Sequence, residues 1–146
     1  MNVRWLALLC GLFAMQAGAA GEFRSIEEVV AVMYDAPSVK SNKLFVASRY
    51  YPVEIIVNVD NWVKVRDAAG ELAWIERKSL SEKRTVVVVA AMADVRQKAE
   101  EGAPLAFQAR QGVALEIAEL APGPWVKVRH RDGQTGYVRR VQVWGL

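Results

Sequence analysis

This sequence predicts an all-β chain made of one small barrel used twice, on three observations. The pentapeptide Trp62-Val63-Lys64-Val65-Arg66 returns 63 residues later as Trp125-Val126-Lys127-Val128-Arg129. Gly70/Gly133, Trp74/Tyr137 and Ile75/Val138 keep that offset, a period too long for a solenoid unit and suited to a small barrel. Inside each copy the apolar residues alternate with period two, between turns spaced roughly ten residues apart.

The amino-terminal residues stand apart from this pattern. Arg4 gives a positive start, and Trp5 to Met15 is an unbroken apolar run of eleven residues before Ala17-Gly18-Ala19. That arrangement predicts a secretory signal peptide over residues 1–19, cleaved after Ala19, and a periplasmic or secreted product. The run is short for a membrane span, so no stable span is expected after cleavage. Cys10, the single cysteine, would leave with the signal. The remaining chain then has no disulfide framework and no cysteine-type metal site.

In the first copy, Pro52-Val53-Glu54-Ile55-Ile56-Val57 leads through Asn58-Val59-Asp60-Asn61 into the Trp62–Arg66 strand. A turn at Asp67-Ala68-Ala69-Gly70 then precedes Leu72-Ala73-Trp74-Ile75. The second copy repeats the order with Val113–Ile117, a Pro122-Gly123-Pro124 turn, Trp125–Arg129 and the Asp132-Gly133 hairpin signal. Val29-Val30-Ala31-Val32-Met33 aligns with Val88-Val89-Ala90-Ala91-Met92, which predicts strand over residues 29–34. Ser25-Ile26-Glu27-Glu28 has the spacing of a capping box, and a capped turn can sit just before that strand. The apolar run from Thr85 to Met92 predicts a doubly buried strand at the domain contact. With no flexible linker, the expectation is a rigid tandem: domain 1 over 22–85 and domain 2 over 86–146. A domain of about 60 residues buries only about 60% of its unfolded surface, so a packed partner would stabilise it.

Asp94-Val95-Arg96, Gly112-Val113, Trp125-Val126-Lys127-Val128 and Thr135-Gly136-Tyr137-Val138 carry a resemblance to bacterial SH3-like (SH3b) domains. Their pattern runs N-V-R, K-G, GW-x-K-V and G-x-x-G-W/Y-V. The second copy resembles it along its length. The first matches from Trp62 to Leu80, with Met33-Tyr34-Asp35 in place of N-V-R and Leu72-Ala73 in place of Thr-Gly. The resemblance implies two SH3-like β-barrels packed in tandem. It is also similar to secreted proteobacterial proteins made only of such domains. In the family these domains often target an attached hydrolase to the cell wall, and none is expected within these 146 residues.

Strand alternation gives the repeated pentapeptide two faces. Val63, Val65, Val126 and Val128 point into the barrels. Trp62, Lys64 and Arg66 point outward in the first copy, and Trp125, Lys127 and Arg129 in the second. Hairpin pairing brings Trp74 near the first face and adds Tyr137 and Arg139 to the second. An indole beside cations suits a ligand with a flat or apolar part and a carboxylate, so the eight outward residues other than Trp74 are the candidate ligand-binding set. Covered structural aromatics and solvated cations are the competing reading of the same pattern.

Charge narrows the partner. Without Arg4 the chain carries 18 basic and 16 acidic residues, and residues 22–85 hold ten of each sign. The excess sits in the last stretch, where Lys127, Arg129, Arg131, Arg139 and Arg140 face only Asp132. A neutral first repeat and an export signal argue against nucleic acid. The expected partner is a cell-wall peptide or an envelope protein. The alternative is an assembly subunit that buries its aromatic faces against other chains. His130, the only histidine, lies in a charged hairpin without a nucleophile motif, and no phosphate loop or metal-ligand cluster is present. Neither catalysis nor a cofactor is expected.

Overall fold

A computed structural model describes residues 21–120 and 123–146. The proposed signal peptide, and Pro122 of the predicted turn, lie outside the described residues. Two seven-stranded antiparallel sheets follow one another along the chain with the same topology. The first contains β1 (Phe23–Ile26), β2 (Val30–Tyr34), β3 (Lys43–Ser48), β4 (Pro52–Val59), β5 (Trp62–Arg66), β6 (Leu72–Glu76) and β7 (Leu80–Ser81). The second contains β8 (Thr85–Val88), β9 (Met92–Arg96), β10 (Leu105–Arg110), β11 (Ala114–Glu119), β12 (Trp125–Arg129), β13 (Thr135–Arg139) and β14 (Val143–Trp144). Their spatial orders are β3-β2-β6-β5-β4-β1-β7 and β10-β9-β13-β12-β11-β8-β14. A single 3-10 turn precedes the last strand of each, at Arg77–Ser79 and Arg140–Gln142. No helix among the described residues is long and apolar enough to cross a membrane.

Each barrel has its own core, filled from the alternating positions. Val63, Val65 and Ile75 pack with Ile26, Met33 and Val53 in the first; Val126, Val128 and Val138 pack with Val86, Val95 and Leu115 in the second. Burial of these methyl-rich side chains is the main favourable term for barrels this small.

The structure corrects the alignment of the first halves. Met33 and Val95 are the matching buried positions, and Tyr34 and Arg96 pair with Trp74 and Tyr137 respectively. Val30–Tyr34 therefore matches Met92–Arg96, not Val88–Met92. The strand that matches Thr85–Val88 is β1, because Phe23 and Thr85 sit opposite Glu54 and Glu116. The letters of Phe23-Arg24-Ser25-Ile26 and Thr85-Val86-Val87-Val88 hide this equivalence. Ser25 and Ile26 belong to that strand, so the predicted capped turn does not form there.

The long apolar run divides too. All four residues of β8 are buried, Val89 is exposed, and a new strand begins at Met92. Side chains and backbone around β8 tie the barrels together. Thr85 Oγ1 donates to Tyr50 O at 2.6 Å, Ser25 Oγ donates to Lys83 O at 2.7 Å, and Arg84 Nη2 donates to Gly145 O at 3.0 Å. The ring of Phe23 meets Trp144 edge to face, with centroids 5.1 Å apart, and carries the Arg84 guanidinium at 5.5 Å. Gly145 is buried here at φ 119°, and a Cβ would lie 2.8 Å from Thr85 O. Only glycine suits that position.

Candidate binding faces

In both barrels the central hairpin positions the outward side chains. Its register sets Lys64 opposite Trp74 and Trp62 opposite Glu76; in the second barrel Lys127 is opposite Tyr137 and Trp125 opposite Arg139. Directly opposed residues are the closest cross-strand neighbours. Accordingly Lys64 Nζ lies 6.0 Å from the centre of the Trp74 ring, and Lys127 Nζ lies 5.8 Å from that of Tyr137. Such cation–ring contacts contribute about 0.5–1 kcal/mol at exposed sites.

The two tryptophans end up in different company. Trp62 rests edge to face on Tyr34, with centroids 5.4 Å apart. Arg139 Cζ lies 5.3 Å from the ring centre of Trp125, in the place that Glu76 takes in the first barrel. Arg96, in the place of Tyr34, donates to Ala103 O at 2.8 Å and reaches Asp94 at 3.4 Å. Arg139 also pairs with Glu101. The first face is thus aromatic, with Lys64 and Glu76 beside its rings, whereas the second carries Arg96, Lys127 and Arg139 around Trp125 and Tyr137, the two arginines being paired with Asp94 and Glu101.

Arg66 and Arg129 leave these clusters. Arg66 lies 3.5 Å from Glu54, and Arg129 lies 3.9 Å from Glu116. Each is held at the far end of its strand by a carboxylate on the neighbouring strand. The structure brings together Trp62, Lys64 and Trp74, and separately Trp125, Lys127, Tyr137 and Arg139. Tyr34 and Arg96 join those groups and are absent from the sequence-derived set. The signal that could have found them is the β2 and β9 pairing with β6 and β13, which the mistaken alignment of the first halves concealed.

His130 belongs to a turn. Its Nδ1 is 3.0 Å from Asp132 Oδ1, and its ring meets Phe107 with centroids 5.9 Å apart. Asp132 accepts the backbone N–H and side-chain amide of Gln134 at 2.9 and 2.7 Å. Those donors, the backbone one foremost, and His130 hold its carboxyl at about 2, below the usual carboxylate range. Among the described residues no group of three or more His, Cys, Asp or Glu could hold a metal ion.

A family model described as bacterial SH3 domain matches the chain twice, over residues 27–82 and 89–145. No curated protein matches it significantly. Among solved structures, the chain is similar to NlpC2 from Trichomonas vaginalis at 15% identity and a TM-score of 0.39, covering 86% of this chain and 48% of that one. It is also similar to an NlpC/P60 family protein from Bacillus cereus, at 15% identity and a TM-score of 0.40, covering 84% and 56%. The chain spans about half the length of these solved proteins.

Proposed function

This chain belongs to the bacterial SH3 domain family, and on that premise we propose that it is a non-catalytic binding or adaptor protein of the periplasm or cell envelope. Its ligand is a peptidoglycan-derived peptide or a segment of an envelope protein. The observation that carries the reading is the Arg139–Trp125 stack, with Lys127 over Tyr137 beside it. The indole offers an apolar platform, and Lys127, joined by Arg139 when it exchanges Glu101 for the ligand, can bind a carboxylate. The first face holds Glu76 where the second holds Arg139, so the second barrel is the main reader and the first contributes packing.

Sedimentation with purified sacculi tests this. The protein should pellet with the wall material; Trp125→Ala and Arg139→Glu should each lower retention about tenfold, while Trp62→Ala has a smaller effect. Equal retention of all variants would remove the Trp125 face as the site.

A second reading, an assembly subunit, is favoured by the exposed Ile56, Val57 and Val59 along β4. It requires a stable oligomer or co-purifying partner in sedimentation velocity experiments. A single monomeric species at native abundance would exclude it.

A further inference from the structure

Among the described strands, β3 is the outermost of the first sheet and is hydrogen-bonded only to β2. Its residues line a cleft shared with the second barrel. Seven consecutive residues, Phe45 to Tyr51, line this cleft of about 630 Å³, and the opposite wall includes Gly112 to Ala114 and the Arg129–Arg131 hairpin. A wall formed by consecutive residues, not alternate ones, means that the cleft follows the strand backbone.

The register shows which backbone groups face it. Ala31 pairs with Ala47, and Arg49 N donates to Val29 O at 3.1 Å. Ala47 and Arg49 therefore point their backbone groups at β2, and by antiparallel alternation Val46 and Ser48 point theirs away. Ser48 O accepts Tyr51 N at 3.1 Å. The N–H and C=O of Val46 and the N–H of Ser48 remain as a template for another strand.

The charges select what fits. Glu116 is shared by Lys83 at 3.4 Å and Arg129 at 3.9 Å. Asp67 is occupied in its own turn, where Oδ1 accepts Ala69 N and Glu71 N, both at 2.9 Å. Among the described residues, Arg131 is exposed with no carboxylate partner, and the Arg49 side chain is bonded only to a carbonyl, Glu27 O at 2.7 Å. The cleft therefore holds a surplus of positive charge beside an open strand edge. We propose that it takes an extended acidic peptide, which adds as a strand to β3 between the barrels and sets its carboxylates on Arg131 and Arg49. This site is separate from the Trp125 face and does not depend on it. The matching edge strand β10 does not line the cleft and serves as an internal control.

The test uses the purified protein and a bead library of acetylated octapeptides that alternate β-branched residues with Asp, Glu, Asn or Gln. Acidic members should be enriched, and the best of them should shift and protect the Val46 and Ser48 amides in nitrogen-resolved NMR. Methylating every second peptide nitrogen in one phase should weaken binding about tenfold, and in the other phase hardly at all. Arg131→Glu should weaken it by a similar factor and leave the fold intact. Absence of acidic enrichment would overturn the proposal. So would an equal response to both methylation phases, or shifts confined to the Trp125 indole or to β10.

Discussion

Tyr50 and Gly112 occupy the same turn of the two barrels, and both hold φ in the left-handed region, at 71° and 87°. Glycine enters that region freely, whereas a bulky side chain there costs about 1–2 kcal/mol. Tyr50 has compensation that Gly112 lacks: its carbonyl accepts Thr85 Oγ1, and Lys83 Nζ lies 5.3 Å from its ring centre.

Gly112→Ala should therefore destabilise the protein by about 1–2 kcal/mol. A Cβ at Gly112 meets nothing within 4 Å, so the cost comes from the backbone alone. Tyr50→Gly relieves that cost but gains unfolded-chain entropy and loses the Lys83 contact, and should stay within about 0.5 kcal/mol of the parent. Parallel urea unfolding of the two variants checks the contrast.

Gly136 is under a different constraint, because its φ is ordinary and its surroundings are not. A Cβ there would lie 2.7 Å from both Arg96 O and Val95 Cγ1. Gly136→Ala should cost about 1–3 kcal/mol, as overpacking does elsewhere, and should displace β9 from β13. Denaturation gives the first quantity. NMR shifts at Arg96 and Tyr137 give the second.

Asp132 should titrate near 2, followed through its carboxyl carbon. Its folded-state value lies below the ordinary 3.8, so its contribution to the hairpin is fully present above about pH 4 and is lost as pH falls through 2. The leading cause is the backbone N–H of Gln134. His130→Ala should accordingly leave the value depressed, and a return to the ordinary value would show that His130 dominates.

The second half of each barrel was legible in the sequence because its core and outward positions are carried by identical or similar residues. Val63/Val126 and Val65/Val128 are buried as alternation requires, and Lys64 and Lys127 sit over the predicted aromatics. The first half was not legible, since four residues join Val57 to Trp62 and five join Glu119 to Trp125. That one-residue difference changes the offset from 63 to 62 and placed a chance likeness of valines ahead of the true match. Tyr34 and Arg96 were missed for that reason. Arg66 and Arg129 were correctly placed outward, but their capture by Glu54 and Glu116 depends on a neighbouring strand that alternation does not describe.

The edge-to-face contact of Phe23 with Trp144 has a consequence for the order of folding. It joins the first strand described to the last, so the outer surface of β1 stays open until Trp144 has been made. Closing so large a loop is entropically costly and delays the contact relative to the local hairpins. The first barrel can form its own core early, but its finished surface waits for the second barrel. Completion of the pair is therefore a single event that waits for β14.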